Sequence, residues 1–190
     1  MTSPPKTLFE NPETAKAFDL QARKLQRQFW DDQAANWAME ETLLGLQPTH
    51  LDKVVTHLTA PLLVIGAGQG LIQQALFDRG VPATGVDWSS AMVEMGNMRG
   101  IEDLICADAD DLPFKDGEFA TVVLSTGVLM PTHSKDRIAA YFSEVRRVLE
   151  PKGMLIVAVL YEKGSEQART QAQNVQHPVH AATHTKGSGH

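Results

Sequence analysis

Val64-Ile65-Gly66-Ala67-Gly68-Gln69-Gly70 places three glycines at alternate positions directly after an apolar run, and Asp87 ends the next apolar segment. Glycine tolerates positive φ in a sharp turn and lets a ligand approach the backbone. A helix opening there offers free N–H groups and the positive end of its dipole. A carboxylate about 20 residues downstream is placed to accept both hydroxyls of a ribose. The combination implies a nucleoside site rather than a bare tight turn. Leu71 stands where the dinucleotide fingerprint has its third glycine, which disfavours a nicotinamide-dependent oxidoreductase. The chain contains no G-x-x-x-x-G-K-[ST] loop for a nucleoside triphosphate.

Other residues with chemical capacity are few. His133 suits a base near neutral pH, although a solvated histidine ahead of a helix cap is the plainer reading. Trp30 and Met130 are candidates to line a second pocket or simply to pack. Asp110 and Asp111 read as acids of an exposed loop, and Asp31 and Asp32 as a solvated helix face. Cys106 is the sole cysteine, so no internal disulfide forms, and it falls on an expected core strand. His177, His180 and His184 have spacings that a helix could turn to one face, but Pro178 interrupts it, so no metal site is expected.

The elements that would position these groups alternate along the chain. Helical spacing of Phe18, Leu25, Phe29 and Trp37 marks an N-terminal helical lid segment over residues 1–58. Residues 59–162 then read as strand, helix, strand, helix, strand, strand, helix, strand. The strands begin at Leu62, Val81, Leu104, Phe119 and Met154. Ser89 or Ser90 and Ser134 serve as helix caps, with Gly80 and Gly100 as stops. This order predicts an α/β, doubly wound, mostly parallel sheet with helices on both faces and five recognisable strands. Residues 163–190 form a polar tail in which no further strand is expected.

Composition bounds the partners. A net charge of −6 argues against nucleic acid, whose phosphates demand a basic footprint. No run reaches the roughly 18 apolar residues of a membrane span, and the start carries no secretory pattern. A cytoplasmic protein is expected.

From Leu62 to Leu160 the chain resembles the class I S-adenosylmethionine-dependent methyltransferases. Four blocks carry the resemblance: Leu62–Gly70, Gly85-Val86-Asp87, Ala107–Phe114 and Arg147–Gly153. It implies S-adenosylmethionine as cofactor, with Gly66, Ala67, Gly68 and Gly70 beneath its methionine part. Asp87 would hold the ribose and Trp88 lie against the adenine. Asp108 would accept the adenine amine, and the Ala109 N–H meet a ring nitrogen. Ser125 and Thr126 would flank the methionine end, and Ala34-Ala35-Asn36-Trp37 resembles the family's lid segment.

The resemblance also bears on the acceptor. Amino-methylating nucleic-acid enzymes of this type carry Asn/Asp-Pro-Pro-aromatic after the fourth strand, where this chain has Ser125-Thr126-Gly127-Val128. A small organic acceptor is expected, with a shortened, partner-dependent binding module as the alternative. Ala120 replaces an aspartate usual after the fourth strand's opening phenylalanine. The family fold continues with two further strands where only 30 residues follow Leu160. The fifth strand is therefore expected to form an open edge, suited to a homodimer or a partner chain.

Overall fold

The computed structural model describes residues 12–35, 52, 55–125, 127–129, 133–157, 159–162 and 183–186. Helix α1 (Pro12–Ala34) precedes the first strand, β1 (Leu62–Ile65). There follow α2 (Leu71–Phe77), β2 (Thr84–Asp87), α3 (Ser90–Met98), β3 (Leu104–Cys106), β4 (Phe119–Leu124), α4 (Lys135–Val148) and β5 (Leu149–Val157). The sheet order is β3-β2-β1-β4-β5, and every pairing is parallel. Val64, for example, is opposite Gly85 on one side and Val123 on the other.

Burial on both faces explains the apolar character of the central strands: every residue of β1 and β4 is buried, and only Thr121 among them is polar. Successive side chains point to opposite faces. Leu62 and Val64 pack with Ile72 and Leu76 of α2 and Val93 of α3. Leu63 and Ile65 pack with Tyr141, Val145 and Val148 of α4. The caps form where the sequence predicts: Ser89 Oγ accepts the Met92 N–H at 3.1 Å and Ser134 Oγ the Arg137 N–H at 3.2 Å.

Two of the sequence blocks are tied by a single side chain. Arg147 donates to the carbonyls of Phe114 at 2.6 Å and Leu112 at 2.9 Å, and pairs with Glu144 and Asp116. Glu144 in turn accepts the Leu112 N–H at 2.9 Å. The Asp-Leu-Pro-Phe turn is thereby held to the end of α4.

The helix expected from the spacing of Phe18, Leu25 and Phe29 forms as α1, with these three side chains exposed (62%, 62% and 52%) and Ala34 buried. Two expectations are corrected. Cys106 is exposed on the edge strand β3 rather than buried in the core. The C-terminal region contributes strands after all: β6 (Val159–Glu162) and β7 (Thr183–Lys186) pair in parallel as a separate two-stranded sheet. Threonine at alternate positions of β7 suits a pleated backbone, but four polar residues give no apolar alternation to read.

Candidate functional site

In the order 3-2-1-4-5 the sheet grows outward from β1 in one direction through β3 and in the other from β4, so the loops leaving β1 and β4 diverge and open a crevice at their carboxyl ends. An open cleft with a cavity volume of about 110 Å³ lies there. The glycine turn forms its floor. Gly66, Gly68 and Gly70 all have positive φ (73°, 56° and 78°). A Cβ at Gly66 would lie 2.4 Å from Val128 and one at Gly70 2.6 Å from Ile101, so both are needed for packing. A Cβ at Gly68 would meet nothing within 4 Å: this glycine faces open space in which a ligand fits.

Asp87 is built into that floor. Its carboxylate accepts the Gly68 N–H at 2.8 Å and the Ser89 N–H at 2.9 Å. Burial pushes its pKa above the usual carboxylate range, against those two N–H bonds, which favour the ionised form. Trp88, Asp108 and Ala109 line the adjoining wall, and Ser125 lies at the β4 exit, its N–H on the Ile65 carbonyl at 2.9 Å. Thus Gly66, Ala67, Gly68, Asp87, Trp88, Asp108, Ala109, Ser125 and His133 all border one cleft, while Gly70 shapes the turn from behind. Thr126, Met130, Asn36, Trp37, His177 and His180 lie outside the described residues. Among the described residues no cluster of three His, Cys, Asp or Glu could hold a metal ion.

Helix α1 lies along the cleft and touches several of its walls. Arg23 pairs with Asp108 at 3.9 Å and hydrogen-bonds Asp110, and Arg27 reaches Asp108 at 3.6 Å. Asp31 accepts from the Ser89 hydroxyl at 2.6 Å, and the Ala34 carbonyl accepts from Gln69 Nε2 at 2.6 Å. Trp30 lines the cleft near Gly127. Asp110 and Asp31 are therefore fasteners of the helix, not solvated acids; their partners are distant in sequence, which hid them. Burial and the neighbouring Asp110 raise the Asp108 pKa, while the guanidinium groups of Arg137 and Arg23 draw it down.

On the α4 side stand His133, Arg137 and Tyr141. Gln26 Oε1 lies 3.0 Å from His133 Nε2 and also accepts from Arg137 Nη1 at 3.0 Å, so the imidazole donates at Nε2. Burial and the Arg137 charge hold the His133 pKa down to about 4. It is deprotonated near neutral pH and a weak proton acceptor. Arg137 and Gln69 were missed from the sequence. A signal for Arg137 existed, because positions 137, 141, 145 and 148 share one buried stripe and only Arg137 in it is charged.

A family model described as a methyltransferase domain matches residues 63–157, half of the chain, and contains the glycine turn, Asp87 and the Asp108 turn. The chain belongs to the class I S-adenosylmethionine-dependent methyltransferases. The cofactor of this family is S-adenosylmethionine. Among curated relatives of the methyltransferase domain, a "Demethylmenaquinone methyltransferase" of Clavibacter sepedonicus is 31% identical over 67% of this chain and 55% of its own length. A human "Probable tRNA methyltransferase 9B" is 34% identical over 50% of this chain and 20% of its own length. The chain thus spans about half the length of the first and a fifth of the second. A Thermotoga maritima structure titled a methyltransferase, "possible histamine N-methyltransferase", aligns with TM-score 0.53 at 23% identity over 76% of this chain and 66% of that one, a likeness of fold. Among the described residues of the methyltransferase domain no helix is long and apolar enough to cross a membrane.

Proposed function

We propose that this chain binds S-adenosylmethionine in the cleft and directs its methyl group to a small organic acceptor. The observation that carries the reading is convergence: the open cradle above Gly68, the Asp87 carboxylate and the Asp108–Ala109 turn border one crevice at the switch point. In this reading Asp87 holds the ribose hydroxyls while keeping the Gly68 N–H. Trp88 packs on the adenine, Asp108 and the Ala109 N–H meet its edge, and Ser125 flanks the methionine end. Residues 1–58 serve as the lid, residues 59–162 as the cofactor-binding core and residues 163–190 as a tail.

When bound, the sulfonium supplies an activated methyl group for in-line displacement. The protein's part is to orient the acceptor and exclude water, and proximity carries much of the rate. Trp30 and the α1 contacts cover the cleft. His133, with a pKa held to about 4, positions Gln26 and Arg137 rather than abstracting a proton. The net charge of −6 and the Ser125–Val128 segment favour a small acceptor over nucleic acid.

Calorimetric titration with S-adenosylmethionine, S-adenosylhomocysteine and NAD tests the cofactor site. Micromolar binding of the two sulfur nucleosides, without NAD, is expected; binding of NAD alone, or of none of the three, overturns the reading. Transfer of labelled methyl to a panel of small phenols, amines and acids, with tRNA as comparison, then tests the acceptor class. Transfer to tRNA alone overturns the small-acceptor assignment, and binding without any transfer favours a non-catalytic or partner-dependent module.

A further inference from the structure

Arg137 is 3% exposed and lines the cleft from the first turn of α4. Its guanidinium lies 4.7 Å from the centre of the Trp88 ring and 5.4 Å from that of Tyr141, a cation–π contact with each. Nη1 donates to Gln26. Nε and Nη2, the adjacent pair that forms the side-on edge of the fork, have no partner among the described residues. Asp108 is the carboxylate nearest in influence, yet it is engaged by Arg23 and Arg27, and no described acid forms an ion pair with Arg137.

A buried guanidinium whose bidentate edge is vacant is costly on its own. The same edge matches the two oxygens of a carboxylate. The aromatic residues beside it favour a flat group over a tetrahedral phosphate. Arg137 also comes from α4, on the opposite face of the sheet from α2, which the glycine turn opens and where the methionine part of the cofactor is placed.

We propose that the Nε–Nη2 edge of Arg137 is a carboxylate subsite for the methyl acceptor, so that the acceptor is a small organic acid. The proposal rests on the functional reading above. It makes Arg137 a specificity-determining residue that grips the acceptor away from its methylated atom.

The probes are benzoate and benzamide, equal in shape and differing in charge, titrated into the full chain both free and saturated with S-adenosylhomocysteine. Benzoate is expected to bind at least tenfold more tightly than benzamide. Arg137→Gln abolishes that preference, and Arg137→Lys keeps part of it. Equal binding of the two probes by wild-type protein, or failure of both, overturns the subsite whether or not a variant folds. Loss of the benzoate preference on saturation with S-adenosylhomocysteine also overturns it, because the edge then belongs to the cofactor's own carboxylate. Should S-adenosylhomocysteine fail to bind wild-type protein, the functional reading falls, while the probe preference of the free protein still decides the subsite.

Discussion

At the residue scale Asp87 shapes the glycine turn through the Gly68 N–H and, in the proposed reading, holds the ribose with its remaining lone pairs. Asp87→Ala is expected to weaken S-adenosylhomocysteine binding at least tenfold, about 1.4 kcal/mol or more, by calorimetry on the folded variant. Unchanged affinity would remove the ribose assignment. His133 makes a separate, pH-dependent contribution. It is faced by Arg137 from α4 and by Asp19 and Arg23 from α1. Its folded pKa of about 4 lies below the ordinary 6.5, so the unfolded chain binds its proton more readily. The stability it confers is complete above about 6.5 and is lost as pH falls toward about 4. Urea unfolding across that window should show wild type losing stability relative to His133→Gln; parallel profiles for the two proteins would refute the assignment.

At the element scale α1 is fastened to Asp108, assigned to the cofactor, and to neighbours of the assigned residues. Arg23 occupies Asp108 and Asp110, and Asp31 occupies Ser89. These partly exposed pairs are individually worth about 1 kcal/mol or less and are screened by salt. Arg23→Ala is expected to speed release of S-adenosylhomocysteine about threefold to fivefold in stopped flow, on that same scale. An unaltered rate would show that α1 does not gate the site. Arg147 acts between elements instead, tying α4 to the Leu112–Phe114 turn. Its charge-assisted hydrogen bonds imply that Arg147→Leu lowers unfolding stability by about 2 kcal/mol, measured by urea denaturation. A change below about 0.5 kcal/mol would place the tie among ordinary surface pairs.

At the scale of the whole molecule, β5 pairs with β4 alone among the described residues and so ends the sheet. An unpaired parallel edge invites a further strand. Light scattering coupled to gel filtration is expected to give twice the monomer mass, and a monomer at all concentrations would mean that the edge is covered within the chain.

The sequence by itself determined the sheet, the glycine turn and the acid at the end of β2. These depend on local signals: apolar runs of strand length, glycine where φ is positive, and serines that cap helices. It also carried the family, because the Asp-Leu-Pro-Phe and Arg147–Gly153 blocks lie in fixed order. What only the tertiary structure decided is the far wall of the cleft. The inward face of α1 looked solvated because its charges are satisfied by Asp108, Asp110 and Ser89, remote along the chain. Cys106 looked buried because a short apolar strand reads alike at the centre and at the edge of a sheet. The vacant edge of Arg137 emerged only when folding brought Trp88, Tyr141 and Gln26 around one guanidinium and left two of its N–H groups without an acceptor.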